Sequence, residues 1–462
     1  MSIIEPGIFK AYDIRGIYGR DIDEGGAERI GLAFAHVISQ LSGKPAGQLK
    51  LGLGRDMRLQ APAMAAAFAA GITASGAELF DAGQIGTEML YYLVGSRGLD
   101  GGIMCTASHN PKAYTGAKLV REGALPLSGD AGIPELKEFS LGGLDALPAG
   151  GLAEQPGQIT EVDIYAEFQR YAAKFIDAGK IRPLKVVVDG GNGMSGPMCG
   201  PLLRELGLEL VETYFTPDGE FPGHEPNPLL PENREFIIQE VISQGADLGI
   251  AWDGDADRCF FVDDKGEFVD GDFLTAILAK RLLERSPGET VLYDVRASRA
   301  VADIVHAAGG KALENRVGHA FFKARMRNEG GIFGGEVSGH YYFQDFFCAD
   351  SGTIPALLIL EELSESGLKL SELVAGYRAK YFISGEINSE VADQSAKIAA
   401  IKERYSDARL SELDGISVDY EDWHFNVRSS NTEPLLRLCL ESLVSQEDME
   451  RRRDELLALI RS

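Results

Sequence analysis

No stretch of about 18 or more apolar residues interrupts this sequence of 462 residues, so no segment has the length and character of a bilayer-spanning helix. The N-terminus, Met1-Ser2-Ile3-Ile4-Glu5-Pro6, lacks the basic, apolar and small-residue regions of a secretory signal. Cysteine is scarce: Cys105, Cys199, Cys259, Cys348 and Cys439 are odd in number, far apart and without a Cys-x-x-Cys pair. That spacing excludes a disulfide framework and a thiolate zinc site, and leaves buried thiols. Basic residues are outnumbered, 45 Lys and Arg against 70 Asp and Glu, for a net charge of −25. Such a balance argues against nonspecific binding to nucleic acid or anionic membrane, which needs clustered cations. A small anionic substrate stays open, because a few local Arg, Lys and backbone N–H groups can hold a phosphate whatever the net charge. The expectation is a cytoplasmic protein acting on a small molecule, without nucleic-acid or membrane partners, as a monomer or weak homodimer.

What is present is the composition of a globular protein, 45% hydrophobic and 25% charged. At roughly 100–200 residues per domain the length predicts three or four domains. Three segments repeat one plan: Leu49 to Asp56, Leu184 to Gly191 and Thr290 to Arg296 are short apolar runs that end in polar turns. Helical stretches follow, such as Ala61 to Ser75 and Arg299 to Ala308, the alternation of βαβ units with a parallel sheet. Linkers are expected at Leu141 to Gly157, after Asp264-Lys265-Gly266, and around Tyr381 to Asn388. The reading is three similar α/β domains at 1–152, 153–265 and 266–380, with a smaller α+β domain at 381–462 that ends in an amphipathic helix from Gln446 to Ile460.

Four polar motifs stand out. In Thr106-Ala107-Ser108-His109-Asn110-Pro111 a hydroxyl adjoins an imidazole in a Pro-terminated loop that leaves an apolar strand. Such a loop can present a nucleophile, or it can be a capped turn. Asp253-Gly254-Asp255-Ala256-Asp257-Arg258 places carboxylates at alternate positions. They share one face of a strand or converge in a tight loop, and their repulsion calls for a cation. An acidic turn or a Ca²⁺ loop is the plainer reading, but Phe260-Phe261-Val262 follows where an EF-hand needs its later ligands and a helix. Glu336, Ser338 and His340 alternate in a Gly-rich segment able to bond a vicinal diol, although taken alone the segment reads more simply as a turn with a Ser cap. Arg428-Ser429-Ser430-Asn431-Thr432-Glu433-Pro434 combines a guanidinium with hydroxyl and amide donors suited to a phosphate, or forms an ordinary Asx or ST turn.

Taken in this order, with Tyr12-Asp13-Ile14-Arg15-Gly16 and Pro222-Gly223-His224-Glu225-Pro226-Asn227-Pro228, the motifs resemble the α-D-phosphohexomutase superfamily over nearly the whole chain, in its phosphomannomutase/phosphoglucomutase branch. The resemblance implies three similar α/β domains with mixed sheets and a smaller C-terminal α+β domain around a central cleft. It implies that Ser108 carries a phosphoryl group and, with Asp253, Asp255 and Asp257, holds Mg²⁺. Glu336 and Ser338 become the contacts to the sugar 3- and 4-hydroxyls. Arg428, Ser430, Asn431 and Thr432 become the grip on the non-reacting phosphate. His109, Lys118, Arg20 and Arg258 are implied in proton transfer and phosphate stabilisation, with Tyr18, Arg296, His319 and His340 as further substrate contacts. Ala256 stands where Gly is frequent in the family, so φ is expected to stay negative there. Arg296 stands where some relatives carry Lys.

The implied reaction is reversible transfer of phosphoryl between the 1- and 6-positions of mannose and glucose phosphates, through phosphoserine and a hexose 1,6-bisphosphate that also serves as activator. Lys118 would act as base if neighbouring cations lower its pKa. The same motifs leave room for a phosphoglucosamine mutase, a Mg²⁺-dependent sugar phosphatase or a noncatalytic sugar-phosphate binder.

Overall fold

Short apolar runs fold as strands and the Ala- and Leu-bearing stretches as helices, in a computed structural model that describes residues 2–147, 151–430 and 435–462. The chain divides into two compact units, Met1–Phe268 with His340–Gly367, and Val269–Gly339 with Leu368–Ser462. Among the described residues no helix is long and apolar enough to cross a membrane.

The first unit opens with β1 (Asp13–Ile17), α1 (Glu24–Ser42), β2 (Lys50–Arg55), α2 (Ala61–Ala74), β3 (Glu78–Gln84), α3 (Thr87–Ser96), β4 (Gly101–Cys105), β5 (Tyr114–Arg121), β6 (Leu125–Pro126), α4 (Ile133–Gly142) and β7 (Ile159–Glu161). The sheet runs β1-β5-β4-β2-β3-β7, with β6 on β5. Strand β2 lies parallel to both β3 and β4, whereas β5 is antiparallel to β4 and β1. The register Arg55↔Cys105 sets the C-terminal ends of β2 and β4 side by side. Helix α1 is capped by Asp23, whose side chain accepts from Gly26 N, and ends on Gly43 in the left-handed region. It crosses α2 closely: a Cβ on Gly71 would lie 1.9 Å from Glu28 O, so only glycine fits.

The same plan recurs in α5 (Tyr165–Ala172), β8 (Lys185–Asp189), α6 (Ser195–Glu205), β9 (Glu209–Thr213), α7 (Glu235–Gln244), β10 (Leu248–Trp252) and β11 (Cys259–Asp263). Here β9, β8 and β10 are parallel and β11 turns back antiparallel, with Trp252 opposite Cys259. The six residues between them are the acidic motif. Residues 340–367 complete this unit with a hairpin, Tyr341–Phe343 and Ala349–Asp350, and the helix Thr353–Ser366. Buried Glu88 of α3 accepts from Thr353 N at 3.2 Å, Thr353 Oγ1 at 2.5 Å and Ser351 Oγ, while Trp252 Nε1 donates to Gly352 O at 2.9 Å.

In the second unit the strands Lys311–Asn315, Thr290–Asp294 and Gly331–Gly335 run parallel; the helix Gly271–Arg285 precedes them in the chain, and the helices Arg299–Ala307 and His319–Glu329 connect them. An antiparallel sheet follows, in which Leu435–Ser442 pairs with Phe382–Ile383, Ile387–Glu390 and Trp423–Ser429. Ile401 of the helix Gln394–Arg404 and Met449, Leu456 and Ile460 of the helix Gln446–Arg461 bury against Val418, Phe425 and Leu438 of that sheet. Full burial of such side chains is worth about 1.5–3 kcal/mol each. None of the five cysteines forms a disulfide; four are buried and Cys439 is partly buried.

Candidate active site

The site is assembled where parallel strands end, the edge of an α/β sheet at which ligands usually bind. Directly after β2, Asp56 N donates to Cys105 O at 3.0 Å, locking the two strand ends together. Asp56 then accepts from Thr106 Oγ1 at 2.7 Å, and Thr106 Oγ1 accepts from Ser108 N at 2.8 Å. This chain of bonds holds Ser108 at φ 50°, a left-handed conformation that costs a non-glycine residue about 1–3 kcal/mol. Arg58, 2% exposed, reinforces the turn. Its guanidinium donates to Ser108 O at 2.7 Å, Asn110 O at 2.6 Å, Pro111 O at 3.0 Å and Tyr114 O at 3.2 Å, and it pairs with Asp56 at 3.3 Å. Arg15 donates to Thr106 O at 2.9 Å from β1. Ser108 is 4% exposed, because this network draws the turn inward.

The acidic motif closes the β10–β11 hairpin as a tight turn, not as a strand face, with Ala256 N donating to Asp253 O at 3.0 Å. Asp253, Asp255 and Asp257 are all buried, and an oxygen from each lies within 4.8 Å of the others. A Cβ on Gly254 would come 2.6 Å from Ser108 O, so glycine here permits the two loops to touch. Ser108 Oγ donates to Asp253 Oδ2 at 3.0 Å. Ala256 does adopt φ 60°, contrary to the expectation drawn from its side chain. Its methyl group is fully buried, and that burial offsets part of the backbone strain.

Two cations face the three carboxylates. Arg258 Nε donates to Asp253 Oδ2 at 2.9 Å, and Lys118 Nζ pairs with Asp255 Oδ2 at 2.7 Å and with Asp257 Oδ2. Burial alone would lower the Lys118 pKa, but Asp255 and Asp257 overcome it and hold the ammonium charged. The condition for Lys118 as a base, neighbouring cations that depress its pKa, is therefore not met: carboxylates surround it. Burial likewise works against ionised Asp255, yet the charge and hydrogen bond of Lys118, with Thr87 Oγ1 donating at 2.5 Å, hold it ionised. Asp257 goes the other way, pushed up by burial and then by Asp255. His109 Nδ1 lies 3.3 Å from Ser108 Oγ, and burial followed by the charges of Arg258 and Arg15 keeps its imidazole neutral.

Asp255 Oδ1 and Asp257 Oδ1 are buried without a hydrogen-bond partner among the described residues, so both oxygens have lone pairs to offer a cation. The all-oxygen donor set suits a hard divalent ion. His340 belongs with this group in the first unit, its Nε2 3.9 Å from Asp257 Oδ1. Tyr18 and Arg20 do not join it through any bond seen here: Tyr18 OH donates to Glu24 at 2.5 Å, and exposed Arg20 pairs with Asp21 at 2.7 Å.

Other expected residues fall in the second unit. Glu336 is buried and accepts from Gly318 N at 3.0 Å, just before His319 opens its helix. Ser338 is half-buried on the same loop. Arg296 grips Asp294 with two bonds, at 3.0 and 2.7 Å, and Asp294 accepts from Val337 N at 3.1 Å. Arg428 is the penultimate residue of the strand Trp423–Ser429 and Ser430 follows its end, its N donating to Leu435 O at 2.8 Å, while Asn431 and Thr432 lie outside the described residues. Sequence reasoning missed Asp56, Arg58, Thr87, Glu386 and Arg437. For Asp56 and Arg58 a signal existed: a charged pair immediately past a parallel strand, at the edge where sites form.

Comparison with known proteins accords with this geometry. Family models for phosphoglucomutase/phosphomannomutase match in order: α/β/α domain I at residues 6–138, domain II at 165–266, domain III at 270–381 and the C-terminal domain at 386–459. A phosphomannomutase of Salmonella montevideo is 42% identical, covering 98% of this chain and 99% of its own. A protein of Xanthomonas campestris pv. campestris described as phosphohexose mutases is 43% identical, covering 98% and 99%. The crystal structure of a phosphoglucomutase/phosphomannomutase family protein from Burkholderia thailandensis superposes with a TM-score of 0.87 at 32% identity, covering 99% of this chain and 97% of that one. With four domain models in sequence and full-length relatives above 40% identity, the chain is a member of the phosphoglucomutase/phosphomannomutase family of enzymes.

Proposed function

We propose that this enzyme interconverts hexose 1-phosphates and hexose 6-phosphates of mannose and glucose, with Ser108 as phosphoryl carrier and a hexose 1,6-bisphosphate as intermediate. The observation that carries the reading is Ser108 Oγ, held in a strained turn 3.0 Å from Asp253 Oδ2 beside three buried carboxylates. The coarser statement, a hexose-phosphate mutase, rests on the full-length relatives.

In the proposed reaction the phosphoryl on Ser108 Oγ passes to the free hydroxyl of a hexose monophosphate. The bond to Ser108 Oγ breaks as the bond to the sugar oxygen forms, and the proton lost by the sugar hydroxyl balances the one gained by Ser108. The bisphosphate turns over, and its other phosphoryl returns to Ser108. Proteins accelerate such transfers chiefly by positioning and by neutralising charge. Lys118 and Arg258, held charged among the aspartates, neutralise the moving phosphoryl, and His109 keeps a neutral nitrogen beside Ser108 Oγ. Asp253, Asp255 and Asp257, with the Ser108 phosphoryl oxygens, would hold Mg²⁺, which when bound supplies further neutralisation of phosphate charge. Glu336 and Ser338 read the sugar hydroxyls, and Arg428 with Ser430 holds the non-reacting phosphate.

A phosphorus NMR time course with Mg²⁺ and a trace of glucose 1,6-bisphosphate tests the reading. Mannose 6-phosphate or glucose 6-phosphate should appear from the 1-phosphates. Conversion of glucosamine 6-phosphate alone would move the enzyme to the amino-sugar mutases, and release of inorganic phosphate without isomer would make it a phosphatase. Dialysis against EDTA should remove turnover, and added Mg²⁺ should restore it. Full activity in the chelated enzyme would contradict the metal assignment.

A further inference from the structure

Arg428 and Arg437 stand directly opposite each other on the paired strands Trp423–Ser429 and Leu435–Ser442. Like charges in facing positions on neighbouring strands repel, so this pairing breaks an ordinary rule of sheet construction. One carboxylate spans the pair. Glu386 sits in the segment expected from the sequence to be a linker, just before the strand Ile387–Glu390, whose Asn388 lies opposite Arg437. Its Oε1 is 3.1 Å from Arg437 Nη1, and its Oε2 is 3.4 Å from Arg428 Nη2. The same Oε2 is 3.0 Å from Arg296 Nη1. Three guanidiniums from three parts of the second unit thus converge on a single side chain.

Two of the three arginines make further contacts among the described residues. Arg437 Nη2 reaches Ser430 Oγ at 3.5 Å. Arg296 holds Asp294, which accepts from Val337 N, and Arg296 Nη2 lies 3.8 Å from Glu336 Oε2. Glu386 is therefore where the loop of Glu336 and Val337 joins the strand ends of Arg428 and Ser430. One carboxylate cannot satisfy the donors turned toward it. Arg428 Nε is buried with no hydrogen-bond partner among the described residues, on a residue 7% exposed. A buried charged donor left over in this way marks a place made for a further anion.

We propose that Glu386 is a positioning residue for the substrate's non-reacting phosphate: it neutralises the Arg428–Arg437 pair, fixes both guanidiniums beside Ser430, and through Arg296 ties that grip to the sugar-reading loop. The inference rests on the reading that Arg428 and Ser430 hold that phosphate. Glu386 touches arginines, not sugar, so its removal should weaken binding far more than it slows the chemical step.

The test is steady-state kinetics of Glu386→Gln with glucose 1-phosphate as substrate and inorganic phosphate as inhibitor. KM and the inhibition constant for phosphate should rise together by about tenfold, within the range for residues of one charged network, while kcat stays within about threefold. Because the effect is one of charge balance, adding Arg437→Gln to Glu386→Gln should raise KM by less than the product of the two single effects. An unchanged KM, a fall in KM, a loss confined to kcat, or simple multiplication of the two effects would each overturn the inference. If Glu386→Gln does not fold, Glu386→Asp, which keeps the charge but shortens the reach, must show the same joint rise or the inference falls. Failure of the unsubstituted enzyme to turn over glucose 1-phosphate would instead sink the reading on which the inference stands.

Discussion

Ser108→Ala is expected to lower isomerisation of glucose 1-phosphate by roughly 10⁴-fold or more, as loss of a covalent nucleophile does. The substitution removes only Oγ, with its bond to Asp253 and its contact with His109 Nδ1. The contacts that shape the turn are to the backbone of residue 108: Ser108 N donates to Thr106 Oγ1, and Ser108 O accepts from Arg58. Alanine at φ 50° carries the same strain as serine, so circular dichroism and the thermal midpoint should barely change. Incorporation of phosphate on the protein, followed by mass spectrometry, should vanish with activity. A variant that retained a tenth of normal turnover would remove Ser108 as carrier, whatever its phosphorylation state.

The second large effect is structural. Arg58→Ala removes four hydrogen bonds to the Ser108 turn and leaves Asp56, fully buried, without its ion-pair partner. Breaking a buried pair from one side typically costs about 3–5 kcal/mol. The expected outcome is a clear drop in the urea midpoint together with lower kcat in whatever fraction stays folded, since the turn loses what holds Ser108 against the acidic loop. Arg58→Lys should recover little, because one ammonium cannot spread across the carbonyls that a planar guanidinium reaches. If Arg58→Ala matched the parent in both midpoint and kcat, Thr106, Asp56 and Arg15 would suffice to hold the turn.

Much of the chain was legible where local pattern suffices. The apolar runs at Leu49, Leu184 and Thr290 became β2, β8 and the strand Thr290–Asp294, and the stretch from Ala61 became α2, ending at Ala74. Ser108 and the three aspartates could be singled out because hydroxyl, imidazole and carboxylates at those spacings are chemically conspicuous. What could not be read depends on pairing across long separations. Arg58 could be flagged as a charge just past a strand, but its partners emerge only when β2 and β4 lie parallel and bring residues 108 to 114 over it. Alternation of Asp253, Asp255 and Asp257 fits a strand face and a turn equally, and the choice is made by β11 folding back on β10. The carboxylates around Lys118 come from a hairpin far along the chain, so the direction of its pKa shift was opposite to the one supposed. Ala256 shows a side chain misleading about its own backbone, since a buried methyl group can repay a positive φ.

The order in which the first unit is made differs from the order in which it is packed. Glu88, Trp252 and Tyr171 all have partners between Asp345 and Thr353, beyond an intervening segment that belongs to the other unit. Ribosomes add about 5–20 residues per second, so a nascent chain that has reached Phe268 waits several seconds before His340 to Gly367 emerge. During that wait the groups that close on Gly352 and Thr353 stand uncovered. The unit therefore finishes folding late in translation, and a chain ended between Phe268 and Asp345 lacks every one of these closing partners.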